Sequence, residues 1–140
     1  MKKLAHKIFV LLLLFFGACT DRDIIESKDG VSLPPVSNLA LAKIGDSNVR
    51  VSWTIPPDIP QSINQPLNVY VEVKQIIGVT TTRTEYSATL PNAPSQFDYE
   101  LPDTEKTYHI TVKLQGGVKD PNPNYSATIY SLGKTVIYAP

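Results

Sequence analysis

Few side chains in this chain do chemistry near neutral pH, and their spacing decides what they can achieve. There is one cysteine, Cys19, there are two histidines, His6 and His109, and four carboxylates lie close together at Asp98, Glu100, Asp103 and Glu105. A single thiol makes neither an internal disulfide nor a thiolate metal cage. His109 follows Tyr108 in an alternating stretch that turns it toward solvent, and no histidine or thiolate beyond residue 19 joins it to complete a zinc site. No Gly-x-Ser-x-Gly elbow supplies a serine nucleophile, and the dinucleotide, P-loop and calcium-loop patterns are absent. Paired carboxylates hydrolyse glycosides when one of them is held protonated by its surroundings. Asp98 and Glu100 alternate with Phe97, Tyr99 and Leu101, so both acids fall on the solvated face, where nothing raises a pKa. The sequence therefore reads as a protein that is not an enzyme, with no catalytic residue, no metal site and no cofactor.

The cysteine has a different use. Residues 1–7 carry Lys2, Lys3 and Lys7, Ile8 to Phe16 is an unbroken apolar run, and Gly17 and Ala18 precede Cys19. A basic head, a short apolar run and small residues before a cut site describe a secretory signal peptide over 1–18, and the run falls short of the roughly 20 residues a spanning helix needs. Phe16-Gly17-Ala18-Cys19 resembles the bacterial lipobox, which implies acylation of Cys19 and attachment to a membrane through two or more acyl chains. Residues 19–33 are rich in acids (Asp21, Asp23, Glu26, Asp29) and poor in apolar side chains, so they read as a flexible tether. An acidic segment directly after the lipid-bearing cysteine resembles the export signals of surface lipoproteins in the Bacteroidetes. That implies a lipid-anchored protein of the bacterial envelope, at the outer membrane and exposed on the surface.

Thirteen Lys and Arg balance thirteen Asp and Glu in the whole chain, and loss of the leader removes only bases. A neutral to acidic protein has no field to attract nucleic acid. In residues 34–140 the hydrophobic period is two. Val49, Val51 and Trp53 alternate with polar residues, as do Leu67, Val69, Val71 and Val73, then Phe97, Tyr99 and Leu101, then Tyr108, Ile110, Val112 and Leu114. Further strands are expected over 36–43, 78–90 and 127–138. Prolines and glycines punctuate the intervals at Pro56, Pro57, Pro60, Pro66, Pro91, Pro94, Pro102, Gly116, Gly117, Pro121 and Pro123. Seven such segments without helical patterning predict an all-β fold, a seven-stranded antiparallel β-sandwich over 34–140.

Three groups of residues carry a resemblance to fibronectin type III domains. Pro34-Pro35-Val36-Ser37-Asn38-Leu39 looks like the family's proline-bounded first strand. Val49-Arg50-Val51-Ser52-Trp53-Thr54 looks like its strand B with the core tryptophan. Leu101-Pro102-Asp103-Thr104 leading to Tyr108 looks like its tyrosine corner, with the Leu and Pro seven and six residues ahead of the Tyr. An immunoglobulin-type domain would place its tryptophan beside an intersheet disulfide, and residues 34–140 contain no cysteine.

The resemblance implies that the loops after strands B and F meet at one end of the sandwich. Here they are long and proline-stiffened, Ile55 to Pro66 and Gln115 to Tyr125, and they offer Asp58, Gln61, Asn64, Lys119, Asp120, Asn122, Asn124 and Tyr125 as polar contacts. The expected function is a lipid-anchored module that recognises another envelope protein through the B–C and F–G loops. The competing reading is a carbohydrate-binding accessory lipoprotein of a glycan-uptake system. It needs an exposed ring to stack on sugar, and with Trp53, Phe97 and Tyr108 assigned to the core, Tyr86 and Tyr125 are the candidates.

Overall fold

A computed structural model describes residues 31–121, 123 and 126–140. Residues 1–30, including Cys19, together with Asn122, Asn124 and Tyr125, lie outside the described residues.

The period-two segments become eight strands, and no helix is present among the described residues: β1 (Ser37–Lys43), β2 (Asn48–Thr54), β3 (Asn68–Ile76), β4 (Thr82–Leu90), β5 (Gln96–Glu100), β6 (Tyr108–Gly117), β7 (Thr128–Tyr130) and β8 (Lys134–Tyr138). One antiparallel sheet has the order β1-β2-β5. The other runs β4-β3-β6, with β7 and β8 both paired to the far side of β6. The architecture is the expected sandwich, with eight strands where seven were read.

The extra strand comes from a break in the last segment. Ser131 turns inward, donating its N–H to Leu114 O at 2.9 Å, while its Oγ accepts the Leu114 N–H at 2.8 Å. A hydroxyl thus stands where a ladder carbonyl would be, and Leu132 is thrown outward to 80% exposure. Other limits shift by a few residues. Gly78 to Thr81 closes a turn through Ile77 N–H to Thr81 O, 3.0 Å, instead of opening a strand. Gln115, Gly116 and Gly117, read as loop, extend β6.

Alternation sets the core. Val49, Val51 and Trp53 of β2, Val69, Val71 and Val73 of β3, and Tyr108, Ile110, Val112 and Leu114 of β6 are all buried. Leu33, which composition assigns to the tether, is buried with them, so the packed part of the chain reaches ahead of Pro34. Phe97 and Tyr99 are only half-buried, because β5 is the edge of its sheet. Their rings meet Tyr86 of the opposite edge strand, with centroids 5.3 Å from Phe97 and 5.7 Å from Tyr99, and close that side of the sandwich.

Buried rings with polar tips require partners. Trp53 Nε1 donates to Pro94 O at 2.8 Å. The Tyr108 hydroxyl accepts the Asp103 N–H at 3.2 Å, which closes the corner anticipated from Leu101 to Tyr108. Replacing Tyr108 with Phe removes this bond and leaves the ring packing intact. Urea denaturation is expected to show a loss of about 1 kcal/mol with an unchanged m-value.

Candidate functional site

Three connections gather at one end of the sandwich: residues 55–67 between β2 and β3, 91–95 between β4 and β5, and 118–127 between β6 and β7. The first and third are joined by backbone. Asn64 N–H donates to Gly117 O at 2.8 Å, and Lys119 N–H donates to Ser62 O at 2.8 Å. Between these bonds Ile63 and Val118 form an isolated antiparallel bridge. Val118 N–H in turn donates to Ala127 O at 2.8 Å, which ties the far limb of the third connection to the same seam.

Packing explains why the seam lies here. Ile63 is an isolated apolar residue in a polar loop, yet it is 1% exposed. It fills the space that an inward side chain at position 116 would occupy: a Cβ on Gly116 would stand 2.5 Å from Ile63 Cγ2 and 3.1 Å from Leu67 Cδ2. Leu33 Cδ1 lies 3.4 Å from the same point, so the chain enters the domain beneath this loop pair.

The second connection, 91–95, was read from sequence only as a proline break. Its Asn92 and Ala93 take left-handed φ of 63° and 49°, and Ala93 N–H donates to Leu67 O at 2.7 Å. Prolines on either side with an Asn between them are the local signal for this turn, since Asn tolerates that region.

The polar residues expected to form a surface can now be placed. Gln61 and Lys119 flank the Ser62–Lys119 bond, Asn64 borders Gly117, and Asp58 and Asp120 stand in the same two connections; all five are exposed. Asn122, Asn124 and Tyr125 fall outside the described residues. These five exposed side chains stand on connections whose backbone is hydrogen-bonded between residues 62–64 and 117–119.

Two of the four carboxylates elsewhere, Asp98 and Asp103, have structural work. Asp98 faces Arg50 across the β2–β5 ladder, and the guanidinium grips it in two bonds of 2.7 and 2.6 Å. Those bonds hold the Asp98 carboxyl below its ordinary value; desolvation opposes them, and the charge attraction of Arg50 adds a lesser lowering. Asp103 Oδ1 accepts the Glu105 N–H at 2.9 Å and caps the turn before β6. Glu100 is exposed at the end of its edge strand. His109 is half-exposed on the outer face of β6, in register with Lys74 and Ile137. No cluster of three His, Cys, Asp or Glu residues fit to hold a metal occurs among the described residues.

The aromatic candidates divide in the same way. Tyr86 stacks on Phe97 with an interplanar angle of 24° and is committed to the sandwich edge. Tyr130, which the sequence reading left in a strand, is 52% exposed; it meets Tyr70 edge to face at 6.3 Å.

Two antiparallel sheets in this order, with a buried strand-B tryptophan and a tyrosine corner, define a fibronectin type III-like domain. Among solved structures, the fibronectin type III domain of the human collagen alpha-1(XX) chain is similar, with a TM-score of 0.50 and 20% identity over 81% of this chain and 90% of that one. A crystal structure of a fibronectin type III domain of human collagen XX aligns with a TM-score of 0.47 and 20% identity, over 75% of this chain and 91% of the other. Residues 19–138 match the family model described as a domain of unknown function, DUF4945, and the chain belongs to that family. No curated protein matches the chain.

Two outcomes follow from the site's construction. In Gly116→Ala the new methyl must displace the β-branched Ile63, and a stability loss of roughly 1–3 kcal/mol is expected by denaturant titration, with faster amide exchange at Asn64 and Lys119 than at Val71. The Asp98 carboxyl is lowered by a native partner, so its stabilisation is complete above the unfolded pKa of about 3.9 and is lost as pH falls through the lower folded value. A carbon-detected NMR titration is expected to show Asp98 titrating below the ordinary Asp range, and in Arg50→Gln to return toward it.

Proposed function

We propose that this protein is a lipid-anchored, non-catalytic binding module of the bacterial cell envelope that recognises another envelope protein through its loop end. The observation that carries the reading is the backbone seam between residues 62–64 and 117–119. A loop pair that is already hydrogen-bonded loses little conformational freedom on docking, so more of the contact energy appears as affinity. Pro56, Pro57, Pro60 and Pro66 in the first connection and Pro121 and Pro123 in the third lower that cost further. The exposed groups on the ridge are amides and charges of both signs, the polar complement of a protein surface.

A glycan reading receives less support, since Tyr86 is stacked inside the sandwich edge. The anchoring half of the proposal rests on the leader over residues 1–18 and on Cys19, the only thiol in the chain, standing where a lipobox needs it. The acidic residues that follow favour the outer membrane and its exposed face.

Site-specific photo-crosslinking in intact cells tests the binding half. A photoreactive residue at Gln61 or Lys119 is expected to give one discrete protein adduct, and one at Glu105, beyond the turn at the opposite end, is expected to give none. Adducts of equal strength from all three positions, or none from either loop, remove the loop end as the recognition surface.

A further inference from the structure

The outer face of the larger sheet carries a pair of rings that the core does not use. Tyr70 of β3 and Tyr130 of β7 point away from the sandwich, since the inward positions beside them are Val69, Val71 and Ile129. The two rings meet across β6 edge to face, with centroids 6.3 Å apart and planes at 82°. Such a contact covers at most one face of either ring, and Tyr130 stays 52% exposed, so aromatic surface is left open to solvent.

Polar groups flank this corner. Gln115 of β6 stands opposite Tyr130 in the ladder, and its Nε2 donates to the Tyr130 hydroxyl at 3.0 Å, which holds the ring in place. Gln115 Oε1 is buried and finds no hydrogen-bond partner among the described residues. A buried acceptor is costly to leave bare, and this one calls for a donor that the described residues do not supply. Lys113, the preceding outward residue of β6, stands opposite Tyr70. It makes no ion pair among the described residues, so its ammonium is a further donor.

We propose that this corner binds a carbohydrate, with a pyranose stacked on Tyr130 and Tyr70 and its hydroxyls bonded to Gln115 and Lys113. The site is separate from the loop end and does not rest on it. A pyranose is amphipathic: hydroxyls project from its rim, while the C–H bonds on its faces suit the negative face of an aromatic ring. A planar amide both donates and accepts, as a hydroxyl does. The exposed ring that a sugar requires, and that Tyr86 cannot provide, is thus supplied by Tyr130.

Size argues against a protein on this patch. A specific protein interface covers about 800 Å² on each partner around an apolar core. Here the two rings are bordered by Asn68, Glu72, Thr89 and Lys113, and Leu132, two residues after Tyr130, adds one exposed aliphatic side chain. The apolar surface is therefore on the scale of one or two sugar rings.

The test uses the full chain in a detergent without a sugar headgroup. It is titrated with four soluble probes, maltohexaose, cellohexaose, xylohexaose and mannohexaose, and contacts are read by saturation-transfer difference NMR. At least one probe is expected to bind saturably, with transfer strongest at its pyranose C–H protons. Tyr130→Ala and Tyr70→Ala are each expected to weaken that binding about tenfold or more, at a melting temperature matching the parent's, and Tyr130→Phe, which keeps the ring, to stay within about threefold. Ile137→Ala, exposed beside His109 on the same face, is expected to change nothing. Saturable binding of none of the probes overturns the proposal, and so does binding that both alanine variants retain. A photoreactive residue at Tyr130 that yields one discrete protein adduct in intact cells assigns the patch to a protein and likewise overturns it. The adducts at Gln61 and Lys119 decide the loop end separately, so either reading can fail alone.

Discussion

The missing side chain at Gly116 is the constraint on which the loop end depends. Along β6 the inward positions carry Tyr108, Ile110, Val112 and Leu114, each fully buried, and the next inward position is a glycine. The space it leaves is taken by Ile63, from a connection that would otherwise hang free, and by Leu67 and Leu33. Burying one such aliphatic side chain is worth roughly 1.5–3 kcal/mol, and ordering each loop residue opposes it by about 1–2 kcal/mol of backbone entropy. The fixed φ of Pro56, Pro57, Pro60 and Pro66 lowers that opposing entropy. Once Ile63 is seated, the amides of Asn64 and Lys119 face Gly117 and Ser62, and two loops become one ridge.

This arrangement ties surface to core more tightly than in a sandwich whose loops only connect strands. A change at position 116 acts on Ile63, then on the seam, then on where Gln61 and Lys119 stand. It also acts on Leu33, which packs at the same point. The ridge and the point of entry are consequently two outputs of one packing site. The turn at 91–95 is joined to it through the Ala93–Leu67 bond, since Leu67 is both the acceptor of that bond and a neighbour of Gly116.

The strands were legible because burial on one face imposes a period of two that composition alone displays, as at Val49, Val51 and Trp53. The tyrosine corner was legible because Tyr108 sits on that same stripe. What escaped the sequence were features made by single residues or by distant partners. Ile63 is flanked by Ser62 and Asn64, and Leu33 by Ser32 and a pair of prolines, and neither lies within a strand, so nothing local marks them as core. The break at Ser131 needs the backbone of Leu114, and the Arg50–Asp98 pair needs a ladder between strands separated by 48 positions. Phe97 and Tyr99 alternate like core residues because an edge strand alternates too; only the sheet order shows that one flank is open. In the loops, the backbone bonds were not legible, because a seam between Ser62 and Lys119 is a tertiary fact.

The edges of the two sheets are each blunted against strand addition. An exposed, regular edge strand invites pairing with another chain, and natural sheets blunt it with bulges, short strands or inward charge. Each edge here is interrupted. The β1 ladder shifts register between Ser37 and Ala40, and Asn38 within that stretch takes a φ of 50°. β5 has only five residues. On β4 the register shifts opposite Val73 and Lys74, and Arg83 is drawn into bonds with Glu85 and Gln75, a charged cluster unsuited to strand addition. The last edge is divided at Ser131 into strands of three and five residues. Strand addition is thus disfavoured on every side, by register shifts on β1 and β4, by the shortness of β5 and by the division of the last edge at Ser131.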